Sequence, residues 1–201
     1  MTRHLVSWTG VDDPSRVDLA SIDLGSTSMR AIGGSRALDF SSSWELEVAD
    51  GWITRALRVT TRGFGWGRML ELTRSRSGTW AAEATSWGDD DMAPPGLEDP
   101  ARLDGAVDCD LGLCPVTNTM PIRRLGLLDG DLACTNLVMA WVEMPSLRVL
   151  RSDQAYASGA SAGLVNYASA DGSFRAELTV DADGLVIDYP DLARRERASS
   201  H

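Results

Sequence analysis

Asp108 and Asp110 are the two side chains whose type and spacing come closest to an acid/base pair. In an extended backbone, residues i and i+2 share a face roughly 6.5–7 Å apart, a separation that suits two carboxylates flanking a glycosidic bond. Aspartates just before a turn also accept backbone N–H bonds, which gives the pair a purely structural use as well. Downstream, Thr117, Asn118 and Thr119 offer hydroxyl and amide groups that can cap a helix or meet sugar hydroxyls. Arg123 and Arg124 follow with two guanidiniums that diverge by about 100° on a helix. One arginine is expected to face a ligand opening while the other pairs with Asp108 or Asp110 and pins the helix to its surroundings.

Other reactive constellations are missing. The two histidines, His4 and His201, stand near opposite ends of the chain, so a Ser-His-Asp triad lacks its base. Asp108, Cys109, Asp110 and Cys114 include metal-donor types but match no zinc spacing, and neither metal nor cofactor is expected. Three cysteines, an odd number, form no disulfide framework and fit free thiols in a reducing cytoplasm. Phe64 and Trp66 alternate with Gly63, Gly65 and Gly67, which places two aromatics on a hairpin tip. They are either ligand contacts or part of a plain Gly-rich turn. Most of the seven tryptophans read as core.

The elements that must position these residues are mainly strands. Strand-like runs recur from His4–Trp8 through Leu185–Tyr189, and Asp50-Gly51, Ser77-Gly78, Asp129-Gly130, Asp171-Gly172 and Asp183-Gly184 supply turn residues tolerant of positive φ. Trp44, Leu46 and Val48 alternate with Glu45 and Glu47, so one face of the sheet is dry and the other wet. The exception is a helix over about residues 117–128, with Ile122, Leu125 and Leu128 on one face. Residues 87–100, acidic and rich in proline and glycine, read as a solvated loop. Residues 1–195 form one domain, and the polar tail from Arg194 frays, with 196–201 outside the domain.

Charge and hydropathy narrow the partners. The net charge of −10 disfavours nucleic acid and anionic membrane surfaces. The N-terminal residues lack the apolar stretch of a secretory signal, and no run is long enough to insert across a membrane.

The run Asp108, Asp110, Pro115, Thr117, Asn118, Thr119, Pro121, Ile122, Arg123, Arg124 and Leu125 resembles the pattern D-x-D-x-x-x-x-P-x-T-N-T-x-P-I-R-R-L of a bacterial family of glycolipid-binding proteins. Asp183 to Arg195 resembles the same family's C-terminal end, a strand running into a Tyr-Pro turn and arginine. Where the family carries threonine, phenylalanine and leucine, this chain has Cys114, Val116 and Met120, which alters packing more than chemistry. The resemblance implies a spiral β-roll, a long antiparallel sheet wrapped around a single helix, in a homodimer with a funnel-shaped opening. It carries over no catalytic residue. The function it implies is non-enzymatic: a glycolipid or acyl chain held in a funnel between sheet and helix, with Thr117, Asn118, Thr119, Arg123, Arg124, Phe64 and Trp66 as candidate contacts. The alternatives are a hydrolase acting on a sugar-bearing or acyl substrate through Asp108 and Asp110, and a ligand-free dimeric scaffold.

Overall fold

A computed structural model describes residues 1–128 and 130–197. Asp129 of the expected Asp129-Gly130 turn, and residues 198–201 with His201, lie outside the described residues. Seven strands come first: β1 Thr2–Gly10, β2 Val17–Leu24, β3 Met29–Arg36, β4 Phe40–Ala49, β5 Ile53–Gly63, β6 Trp66–Arg74 and β7 Trp80–Gly88. The second half holds β8 Asp108–Leu111, helix α1 Thr119–Arg124, β9 Thr135–Val142, β10 Val149–Ser158, β11 Leu164–Ser169, β12 Arg175–Val180, β13 Val186–Tyr189 and β14 Ala193–Arg195. All fourteen strands join one sheet in the order β7-β6-β5-β4-β3-β2-β1-β14-β13-β12-β11-β10-β9-β8. Neighbours pair antiparallel except β8 with β9, which are parallel.

That parallel pair explains the helix. Parallel neighbours need a crossover of a dozen or more residues, usually helical, and α1 lies in the crossover from β8 to β9. It is shorter than the sequence predicts. A 3₁₀ turn at Pro115–Asn118 leads into it, Leu125 caps its end, and Gly126 at φ +66° stops it before Leu128. No side chain of the Thr117-Asn118-Thr119 triplet serves as the expected cap: Asn118 occupies the cap position without a capping bond, and the Thr117 hydroxyl turns elsewhere.

The sheet curls around this helix, because strands far apart in the sheet order all reach it. The turn between β4 and β5 touches α1 through Trp52, β8 through Asp108, and the β12–β13 turn through Gly184, which lies against Ile122 and Arg123, while Tyr156 of β10 bonds the cap residue Asn118 just before it. One end of the sheet meets strands near the other: Cys109 of β8 donates its backbone N–H to Thr54 Oγ1 of β5 at 2.9 Å, and Thr61 Oγ1 of β5 donates to Pro145 O at 3.0 Å. Inside the curl, Trp8, Ile22, Leu46, Leu57, Leu72, Trp80, Val116 and Met120 form one core. Ile122, Tyr156, Val165, Leu178 and Val186 form a second.

Two segments differ from the sequence reading. The acidic run after β7 is not merely solvated. The buried Arg68 guanidinium pairs with Asp90, which holds the Asp90 carboxyl below its usual range, and donates to Met92 O, Ala93 O and Ser146 O. Gly96 then bridges to the segment at Arg148. Arg194 and Arg195, read as part of the tail, lie in β14 between β1 and β13, and Arg195 bonds Asp181 Oδ2 at 2.6 Å and Val186 O at 2.9 Å. No helix of the described residues is long and apolar enough to cross a membrane.

Candidate functional site

Both aspartates of β8 lie on one side of the strand, and each is held differently. Asp108 is buried and ion-paired to Arg124 Nη1, while its Oδ2 has no hydrogen-bond partner. Burial pushes its carboxyl up, against the opposing pull of Arg124. Arg124 also donates to Trp52 O at 3.4 Å, and the Arg123 guanidinium sits 5.3 Å from the centre of the Trp52 ring. The consecutive arginines thus clamp the β4–β5 turn and the end strand β8 to the helix, a structural use of both.

Asp110 is half-buried and accepts one side-chain bond on each oxygen, from Thr117 Oγ1 at 3.0 Å and from Gln154 Nε2 at 2.7 Å. Tyr156 OH donates to Asn118 Oδ1 at 2.9 Å and lies 3.4 Å from Gln154 Oε1, and Asn118 Nδ2 donates to Pro115 O at 3.3 Å. Each of the side chains linked in this network, Thr117, Asp110, Gln154, Tyr156 and Asn118, has a fixed partner, so Asp110 is oriented before any ligand arrives. A carboxylate has about four acceptor positions, which leaves about two of them free. Burial raises its carboxyl above the ordinary range, opposed by the Gln154 and Thr117 bonds.

Asp110 opens into a pocket of about 490 Å³ walled by the β8–helix turn, β9, β11, β13 and their loops. Leu111, Leu113, Trp141, Met144 and Leu192 supply apolar wall, and Tyr167, Phe174 and Tyr189 an aromatic one. Those three rings pack edge-on or tilted, with centroids 5.9, 5.9 and 6.1 Å apart, and Tyr156 stands 5.2 Å from Tyr167 behind them. All three tyrosines of the chain converge on this cluster. Two wall residues, Leu113 and Asp191, hold φ of +64°. Such strained non-glycine positions persist only where the surrounding structure over-determines them, and they concentrate at ligand sites. The volume and the mixture of apolar wall with a few fixed polar groups match ordinary ligand sites.

The structure distributes the sequence-nominated residues unevenly. Asp110 and Asn118 line the pocket; Thr117 supports Asp110 from a buried position; Thr119 is fully buried with its hydroxyl unpartnered. Asp108, Arg123 and Arg124 are not among its walls. Phe64, 91% exposed, and the half-buried Trp66 occupy the β5–β6 hairpin tip and do not line it either. Sequence reasoning passed over Trp141, Glu143, Tyr167, Phe174, Tyr189 and Asp191. The clue available was the scarcity of tyrosine, all three standing on strand runs, with Tyr189 the last residue of its own. A second, apolar concavity of about 820 Å³ lies on the outer face of the sheet, where Leu5, Leu19, Ile32 and Met69 are exposed.

A crystal structure of a DUF1089 family protein from Pseudomonas aeruginosa is similar to this chain, with 28% identity, a TM-score of 0.68, and coverage of 89% of this chain and 92% of that one. No curated protein matches the chain. A family model described as "Putative glycolipid-binding" matches residues 5–195, nearly the whole chain, and the protein belongs to that family.

Proposed function

We propose that the protein binds, without chemically altering it, an amphiphile bearing a sugar, and that the headgroup sits in the pocket beside the β8–helix turn. The observation that carries this is the pairing of an aromatic wall, Tyr167, Phe174 and Tyr189, with the pre-oriented acceptors Asp110 and Asn118 in one 490 Å³ concavity. Sugars present apolar C–H faces for rings and hydroxyl donors for carboxylates, and the site offers both surfaces. Membership of a family described in terms of glycolipid binding supports the same class. The space between sheet and helix is taken by Val116, Met120 and Ile122, all buried. The apolar chain therefore lies along the Leu111, Leu113 and Met144 wall rather than in a funnel around the helix. Hydrolysis through Asp108 and Asp110 finds less support, because only Asp110 reaches the pocket while Asp108 is locked to Arg124.

Titration with n-dodecyl maltoside below its micellar threshold tests this reading. One saturable site per chain is expected, weakened about tenfold or more when Tyr167 and Phe174 are both replaced by alanine. Absence of saturable binding, or equal binding by the double variant, refutes it. A second reading, a spiral β-roll chain that self-associates as a homodimer, draws on the exposed apolar residues Leu5, Leu19, Ile32 and Met69 of the outer face. Light scattering at rising concentration decides it: a dimer supports the reading, and a monomer at all concentrations removes it.

A further inference from the structure

We infer that the pocket selects a headgroup that donates hydrogen bonds and carries no negative charge: a plain or amino sugar, and not a phosphorylated, sulfated or carboxylated one. The inference rests on the proposed sugar-binding role and adds what that role leaves open, the charge class of the ligand.

Every ionisable acid or base group on the pocket wall, the tyrosine phenols and one thiol apart, is a carboxylate: Asp110, Glu143 and Asp191, with no arginine or histidine among the lining residues. Three cations near the wall are engaged elsewhere. Arg124 is paired to Asp108, and Arg123 lies over Trp52. Arg16, which donates to Leu192 O at 2.6 Å from behind the wall, is buried between Asp12 and Asp18. The phenols add no anion, because burial holds Tyr156, Tyr167 and Tyr189 well above their ordinary range. Asp110 already takes its two fixed donors from Thr117 and Gln154, and its remaining lone pairs point to groups that bring a proton. A sugar hydroxyl or ammonium satisfies them. A phosphate or carboxylate brings lone pairs against lone pairs, and like charges brought together at a partly desolvated contact are strongly disfavoured. The aromatic wall acts in the same direction, since ring faces attract cations and the polarised C–H groups of a sugar and repel anions.

Three probes with one tail separate the possibilities: n-octyl glucoside, the corresponding octyl 2-amino-2-deoxyglucoside, and octyl glucuronide, each titrated below its micellar threshold and followed by calorimetry. The glucoside and the amino sugar are expected to bind, and the glucuronide about tenfold or more weakly than either. Adding salt narrows that gap, and the Glu143→Gln, Asp191→Asn double variant narrows it further in the native buffer. Preference for the amino sugar, lost in the double variant, assigns an ammonium to the site; equal affinities assign hydroxyls, and both uphold the inference. Glucuronide binding as tightly as the glucoside overturns the charge selectivity while leaving sugar binding in place. Failure of all three probes overturns both.

Discussion

The run of strands from β1 to β7 and the half from β8 to β14 are built by the same chain on different terms. The first is a meander in which consecutive strands pair and side chains alternate in and out, as in β2, where Asp18, Ala20, Ile22 and Leu24 are buried between outward residues. The second contains the parallel pair, the helical crossover and the left-handed residues Leu113, Leu147 and Asp191, against Trp52 in the first, while each half has a register shift, at Glu47 and at Thr179. Its strands are also shorter, down to three residues in β14. Regular pairing satisfies backbone groups at little conformational cost, and the concavity it carries is the apolar one on its outer face. The irregular half gives up that economy and gains a pocket whose polar groups are fixed by side chains rather than by the ladder. The regular half thus supplies the long paired strands and the irregular half the proposed pocket, and Arg124, paired with Asp108 within the irregular half, reaches across to Trp52 O of the β4–β5 turn.

Breaking that ion pair should have the largest effect. Arg124→Ala strands a buried carboxylate and is expected to cost about 3–5 kcal/mol in urea unfolding; a loss under 1 kcal/mol means that the pair does not hold the helix to β8. Leu72→Ala, in the core of β6, should cost about 2–5 kcal/mol while leaving the probe affinity of the folded fraction unchanged. An altered affinity would show that the two halves are not separable in this way. Asp18 gives the regular half a pH signature. Its burial, opposed by Arg16, pushes its carboxyl up to about 6, above the unfolded value of about 3.9. As pH rises from about 4 to about 6, the unfolded chain releases this proton while the folded chain retains it. Wild-type stability should therefore fall relative to Asp18→Asn by roughly 1–3 kcal/mol across that window and level off above it. Denaturant midpoints at several pH values measure the difference, and a flat difference contradicts the assignment. Phe64→Ser, on the exposed hairpin tip, should change stability by under about 0.5 kcal/mol and the probe affinity not at all. A weakened affinity would move the site toward that tip.

The regular half was the more legible in the sequence, for a physical reason. Alternation such as Trp44, Leu46 and Val48 against Glu45 and Glu47 is written locally, and the glycines of its Asp50-Gly51 and Ser77-Gly78 turns do take positive φ, as do those of the Asp171-Gly172 and Asp183-Gly184 turns in the other half. β8 and β14 escaped because four and three residues carry too little period, and because their pairing depends on partners distant in sequence. The helix was read too long where Gly126 already supplied a stop. Arg123 and Arg124 attracted a ligand role because a charged pair in a motif looks the same whether it faces an anion or its own aspartate. The aromatic wall was hidden for the opposite reason: Tyr167, Phe174 and Tyr189 come from three segments, and only the fold brings them together.

The most direct test of a sugar-amphiphile pocket in the irregular half is mass spectrometry of organic extracts from gently purified protein, wild type beside Tyr167→Ala/Phe174→Ala. The account predicts a near-stoichiometric sugar-bearing amphiphile without an anionic headgroup in the wild type, depleted in the variant. An extract with no such species, or the same species in equal amount from both proteins, contradicts it.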